Sequence, residues 1–130
     1  MNTLSYIRFS VEQIADSSMC HQRQKKAIET MCSEAGATII GEFEDMGSSN
    51  KAYRPGLAAL YSFIQGNPGK VQAISTVSGD RLFRNYPAYY EFSQWIEELG
   101  IQLMIVHHSP FPALFIQPDY NTTKQRRRRR

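Results

Sequence analysis

The chain has 130 residues, enough for one domain with its own core and no need of disulfide staples. With 42% apolar and 21% charged residues, its composition is ordinary globular and excludes general disorder. Its formal net charge is +3, but Arg126–Arg130 supply five positives and the rest carries −2, so any attraction to nucleic acid must come from local arginine groups and from that run.

Leu4–Phe9 predicts a first strand, within the stretch LSYIRFS that ends on Ser10. Tyr6, Arg8 and Ser10 lie two apart and so share one face of an extended chain. A ring, a guanidinium and a hydroxyl therefore project together at the strand's carboxyl end. Ser10–Asp16 reads as a loop. Ser17 or Ser18 then predicts the N-cap of a helix reaching about Ala35, with Cys20, Ala27, Ile28, Met31 and Ala35 as its apolar stripe. Gly36 stops it. Thr38–Phe43 predicts a second strand with Gly41 as a weak point, and polar Glu44–Tyr53 a mobile loop.

Pro55 opens a second helix, with Leu57, Leu60, Tyr61 and Ile64 at helical spacing, and Gly66-Asn67-Pro68-Gly69 ends it as a turn. Val71–Val77 predicts a third strand. The loop after it, Ser78–Asn85, contains GDRLFRN, an Asp with two Args just past a strand end, where sites form in open α/β sheets. Pro87–Leu99 predicts a third helix with Tyr89, Phe92, Ile96 and Leu99 on one face. Ile101–Val106 is nearly all apolar, as a strand covered on both faces should be. The expected fold is α/β: a three-layer sandwich with a mostly parallel four- to five-stranded sheet.

Beyond Val106, Pro110, Pro112 and Pro118 exclude a long regular helix. Ala113–Ile116 predicts a short edge strand, and the chain from Asp119 a polar, Arg-rich disordered tail. The expected organisation is one domain over 1–118 and a tail over 119–130. Cys20 and Cys32 lie about 18 Å apart along one predicted helix, too far for a mutual bridge. With His21, His107 and His108 they match no zinc spacing, so no metal is expected and free thiols fit a reducing compartment. No export signal and no apolar run of membrane-spanning length is present.

Tyr6-Ile7-Arg8-Phe9-Ser10, then Ser18 and Gln22, then Asp45-Met46-Gly47-Ser48-Ser49, Arg54-Pro55-Gly56-Leu57 and Asp80-Arg81-Leu82-Phe83-Arg84 stand in a set order. In order and approximate spacing, from about Leu4 to Val106, they resemble the N-terminal catalytic domain of the serine recombinases, the resolvase/invertase family. The resemblance implies a resolvase-like catalytic fold and a DNA strand transferase. Ser10 would attack a DNA phosphodiester, giving a 5′-phosphoserine and a free 3′-hydroxyl, with no cofactor, ATP or metal. Arg8, Arg81 and Arg84 would be catalytic, stabilising charge on the phosphoryl oxygens, and Asp80 would orient arginines or shuttle a proton. Arg54, Gln22 and Gln13 would bind DNA phosphate; Gln13 lies three residues past Ser10, where the family places a glutamine four past. Tyr6 lines the site or packs on the sheet.

Each assignment has a plainer counterpart: a polar strand end for Ser10, a surface ion pair for Asp80 with Arg81 or Arg84, an ordinary helix entry for Arg54. Four arginines at strand-end loops of a net-acidic core argue for function. Trp95, Tyr86, Tyr89 and Tyr90 suit base stacking or partial core packing. The resemblance further implies DNA and either further copies or a partner recombinase as partners, no membrane, a bacterial or phage cytoplasm, and a role in DNA recombination or integration by a mobile element or prophage. After Val106 the sequence shows neither the family's long dimerisation helix nor its DNA-binding domain. Two alternatives to catalysis therefore stay open: a non-catalytic regulator binding DNA or a recombinase, and a mobile-element remnant.

Overall fold

The computed structural model describes residues 1–9, 21–47 and 54–107. In chain order these form β1 (Asn2–Phe9), α1 (His21–Ala35), β2 (Thr38–Met46), α2 (Pro55–Gly66), β3 (Ala73–Thr76), a 3-10 turn (Gly79–Arg81), α3 (Tyr86–Glu98) and β4 (Gln102–Ile105). The strands make one four-stranded sheet in the order β2-β1-β3-β4, with every neighbouring pair parallel. Helices cover both faces, as parallel sheets require, so the α/β sandwich has its three layers. Ser10, Gln13, the proposed caps Ser17 and Ser18, Cys20, the edge strand Ala113–Ile116 and the tail lie outside the described residues.

Two cores divide the sheet's faces. Leu4, Tyr6 and Ile74 pack with Leu57, Leu60 and Ile64 of α2 and Phe92 and Ile96 of α3. On the other face Ile7 and Val77 pack with Ile28 and Cys32 of α1. The alternation along β1 is thus real, although both faces are covered and Thr3–Arg8 are all buried. The stripe of α1 is Gln24, Ile28 and Cys32, not Ala27, Met31 and Ala35. Spacing by four places a glutamine on the covered side, and the apolar pattern alone concealed it. Gly36 and Gly100 end α1 and α3 with φ of 72° and 76°. In each case the next residue's N–H reaches back five positions, Ala37 to the Cys32 carbonyl (2.8 Å) and Ile101 to the Ile96 carbonyl (2.9 Å), the Schellman closure that glycine permits.

β2 corrects the expected boundary. It runs to Met46 rather than stopping at Phe43, so Glu44, Asp45 and Met46 belong to a strand and not to a loop. Their polarity suggested otherwise, but β2 is an edge strand, and exposed Glu44 meets His21 Nε2 of α1 at 2.6 Å. Between Thr3 and Leu4 the register with β2 slips: Thr3 faces Ile39 and Leu4 faces Gly41, leaving Ile40 as an extra residue. Side chains alternate with period two, so one extra residue exchanges the faces. Ile39 packs in the α1 core, whereas Ile40 and Phe43 pack in the α2–α3 core. The same shift sets Asp45 opposite Arg8. Gly41 has a use here, since a Cβ at that position would meet Leu4 and Phe43 side-chain carbons at 3.0 Å.

Candidate functional site

The chain leaves β1 for β2 on one side and returns to β3 on the other. That reversal opens a crevice beyond the carboxyl ends of β1 and β3, where ligands bind in open α/β sheets. Arg8 stands at the end of β1. Arg81 and Asp80 stand in the turn after β3, and Arg54 immediately precedes α2. The sequence separated these residues by up to 73 positions; the fold brings three of the four arginines into direct contact with one another's elements.

Arg8 and Arg81 hold each other's backbone. Arg8 Nε donates to the Arg81 carbonyl (3.3 Å) and Arg81 Nη1 donates to the Arg8 carbonyl (3.1 Å). The Arg8 carbonyl also accepts from Gln24 Nε2 at 3.1 Å, which accounts for the burial of a glutamine on α1. Arg8 Nη1 donates to the Gly47 carbonyl. Only 2% of Arg8 and 4% of Arg81 is exposed. Burial, then the charges of Arg81 and Arg54, push the Arg8 guanidinium down to about 10, so it keeps its charge at neutral pH. Burial also lowers Arg81; Asp80 opposes that shift, and Arg84 adds to it. Among the described residues no carboxylate forms an ion pair with Arg8, Arg54 or Arg84.

Arg54 is half-buried. Its Nη1 donates to the Leu82 carbonyl, and its Nη2 to the Arg81 carbonyl (3.1 Å) and to the Tyr6 hydroxyl (2.8 Å). The guanidinium lies 5.3 Å from the Phe83 ring centre and 5.5 Å from that of Tyr6, within cation–π range. Tyr6 in turn donates to Asp45 Oδ2 at 2.7 Å. It both packs in the core and touches the site. Burial first, then the bond to Asp45, raise the Tyr6 hydroxyl above its ordinary value, partly offset by Arg54.

Asp45 is the residue that sequence reasoning left without a role. It is buried, and its carboxylate also accepts from Gly56 N (2.7 Å, Oδ1) and Leu57 N (2.9 Å, Oδ2). Arg54, at the cap position of α2, makes no side-chain cap bond. Asp45 supplies the cap from the neighbouring strand, placing a negative charge on the helix's positive end. Gly56 permits the approach, because a Cβ there would fall 2.0 Å from the Glu44 carbonyl oxygen. An aspartate a few residues upstream of an Arg-Pro-Gly helix entry is the signal that points to this clamp.

The remaining expected residues fall around this core. Asp80 is half-buried and accepts from the Ser78 hydroxyl. Arg84 is exposed beside the cluster, close enough to lower both Arg8 and Arg81. Gln22 is exposed in the first turn of α1. Ser10 and Gln13 lie outside the described residues. Among the described residues no group of three or more His, Cys, Asp or Glu side chains is placed to hold a metal ion. Among the same residues no helix is long and apolar enough to cross a membrane. Chemically, the arrangement suits an anion with several oxygens: guanidiniums fixed at a strand-end crevice by backbone carbonyls.

Comparison with known proteins bears on this geometry. The family model "Resolvase, N terminal domain" matches residues 3–127. No curated protein matches the chain. Among solved structures, the N-terminal catalytic domain of TP901-1 integrase is similar at a TM-score of 0.75 and 18% identity, covering 98% of this chain and 97% of that one. The C-terminal catalytic domain of ISC1926 TnpA, an IS607-like serine recombinase, gives 0.71 and 19%, covering 88% and 76%. A resolvase family site-specific recombinase from Streptococcus pneumoniae gives 0.67 and 19%, covering 98% and 86%. At such identities the likeness to these structures is one of fold.

Proposed function

The chain belongs to the resolvase family, as a member of its N-terminal domain, and from that premise we propose that it breaks and rejoins DNA through Ser10. The observation that carries this reading is the convergence of Arg8, Arg54 and Arg81 at the crevice beside the end of β1, with no carboxylate paired to Arg8 or Arg54 among the described residues. A buried guanidinium such as that of Arg8, with no carboxylate paired to it among the described residues, is costly unless an anion completes it. A DNA phosphodiester is the anion that the family membership suggests.

In the proposed reaction the Ser10 hydroxyl oxygen forms a bond to phosphorus and the bond from phosphorus to the 3′-oxygen breaks. The serine proton leaves and a proton reaches the departing 3′-oxygen. The product is a 5′-phosphoserine and a free 3′-hydroxyl, and rejoining runs the same steps backward with another 3′-hydroxyl. Arg8 and Arg81 face the phosphoryl oxygens as charge grows on them. Asp80, braced by Ser78, keeps the 78–82 turn in place, and exposed Arg84 reaches the DNA first. Gln22 and Gln13 contact neighbouring phosphates. Arg54 is held by Tyr6 and by two carbonyls, and its part in binding begins when a phosphate displaces one of them.

A covalent-trapping assay tests the reading. Wild type and Ser10→Ala are incubated with nicked, supercoiled and linear DNA, quenched in denaturant and examined for a protein–DNA adduct. An adduct mapping to Ser10 in wild type alone is the expected result. Absence of any adduct, even with a full-length family member supplied in trans, would sink it. A second reading draws on the satisfied state of Arg54, which resembles a structural clamp: a non-catalytic partner of a recombinase or of DNA. In that case Ser10→Ala keeps the full biological activity.

A further inference from the structure

Away from the arginine site, a hollow of about 340 Å³ opens between α2 and α3 on the outside of the sandwich, lined by Tyr61, Gln65, Phe83, Glu91, Phe92 and Trp95. Helical spacing assembles it: Tyr61 and Gln65 lie four apart on α2, and Glu91 and Trp95 four apart on α3. The rings stand at angles to one another. Tyr61 and Trp95 meet edge to face at 5.2 Å and 77°, and buried Phe92 is tilted against Trp95 at 6.3 Å and against Phe83 at 5.6 Å. No lysine, arginine or histidine lines the hollow, and neither helix contains one. Glu91 precedes Trp95 by four residues and Glu98 follows it by three, so both carboxylates stand on that ring's side of α3. Both are exposed, and among the described residues neither forms an ion pair. A second, apolar hollow adjoins across Trp95 and Gln65, lined by Ile64, Val71, Ile101 and half-exposed Leu99.

We infer that this hollow receives an arginine side chain of a partner protein, with an apolar side chain two residues away seated in the adjoining one. The faces of aromatic rings are the negative side of their quadrupole, so walls made of them attract a cation. Charge excludes the other occupants. An anion, the DNA backbone included, meets two carboxylates and no counter-charge. A wholly apolar side chain strips water from Glu91 and returns no partner. A guanidinium suits both features, because its plane stacks on a ring while its edge donates to a carboxylate, and it sheds water more readily than a lysine ammonium does. The chain already makes this contact once, with the Arg54 guanidinium 5.3 Å from the Phe83 ring centre. That charge holds the crevice end of the hollow, so the incoming cation belongs at the Trp95 end, between Glu91 and Glu98. In an extended peptide, residues two apart share a face and lie about 7 Å from each other, a step that straddles one ring.

Trp95 is the chain's single tryptophan, so its fluorescence reports this hollow. The full chain is titrated with the end-blocked peptide Arg-Ala-Leu and with the same peptide carrying citrulline for arginine, which keeps the planar shape and removes the charge. The expected result is a saturable change with the arginine peptide and binding about tenfold weaker with citrulline, the scale of a partly desolvated cation–π contact. Glu91→Gln/Glu98→Gln changes two exposed side chains and leaves the core intact; it should weaken the arginine peptide several-fold and leave the citrulline peptide unchanged. Equal affinity for the two peptides overturns the inference and makes the hollow a merely apolar one. So does the lack of a saturable change. A short DNA duplex that alters Trp95 emission and is not displaced by the arginine peptide also overturns it, assigning the face to nucleic acid. None of these readings depends on whether Ser10 forms an adduct.

Discussion

Replacing Asp45 by alanine tests whether the carboxylate that caps α2 also holds the site together. Three donors converge on it: the Tyr6 hydroxyl at 2.7 Å, Gly56 N at 2.7 Å and Leu57 N at 2.9 Å. Losing a helix cap costs about 1 kcal/mol, and bonds to a charged acceptor contribute about 1.5–3 kcal/mol each, not additively. Gly56 is half-buried and water can partly replace its partner; Tyr6 is fully buried and cannot recruit one. The expected loss for Asp45→Ala is therefore about 3 kcal/mol, a large part of the stability of an ordinary domain. Asp45→Asn keeps one acceptor oxygen but turns an amide donor toward a donor, for a loss of about 2 kcal/mol. Tyr6→Phe removes one bond and costs about 1 kcal/mol. Urea unfolding of the three variants and of the Asp45→Ala/Tyr6→Phe pair is the assay. If Asp45→Ala costs less than Tyr6→Phe, or if their effects add without coupling, the clamp is not what joins the strand to the helix.

Gly56→Ala should destabilise by about 2 kcal/mol although alanine is the better helix former, because the new methyl must push α2 away from the Glu44 carbonyl; an increase in the thermal midpoint would contradict the close approach. Tyr6 ionises less readily in the folded chain than in the unfolded one, so the unfolded state loses its proton first and stability falls as pH rises above the ordinary value of 10. Arg8 acts in the opposite sense over a similar range, its folded pKa lying below the unfolded one, so the comparison that isolates Tyr6 is wild type against Tyr6→Phe, with the steeper alkaline loss in wild type. Inorganic phosphate at ten times its Kd should add about 1.4 kcal/mol, or about 4 °C in Tm. Arg81→Gln should lose most of that increment against its own baseline, and an equal shift in both proteins would show nonspecific salt stabilisation.

Some of this was legible in the sequence for clear physical reasons. Pro55 marked the start of α2, Gly36 and Gly100 marked helix ends, and two-residue spacing placed Tyr6 and Arg8 on one face. These are local rules, and local residues carry them. The parts that resisted reading depend on distant partners. Gln24 is covered because its amide serves the Arg8 carbonyl, sixteen residues away. Asp45 reads as loop chemistry until Gly56 and Leu57 are placed beside it. Arg54 reads as a phosphate ligand or an ordinary helix entry, and the structure packs it against Tyr6, Phe83 and two carbonyls. Polar residues that are buried by satisfying one another resemble exposed ones in any pattern based on hydropathy.

The extra residue at Ile40 carries a consequence for how this chain tolerates change. Downstream of it, the identity of each side chain matters only after the count of residues has been set. Removing Ile40 would join the Thr3–Ile39 and Leu4–Gly41 pairs directly and leave Phe43 and Asp45 on their present faces, whereas inserting one residue between Gly41 and Phe43 would turn Phe43 toward α1 and carry Asp45 away from Tyr6 and the start of α2. Substitutions in this stretch are graded perturbations and the loss of Ile40 is absorbed where the strand already bulges, whereas one further inserted residue is a phase error that inverts everything after it. The junction between β2 and α2 is in that respect stored as a parity, and it would fail all at once.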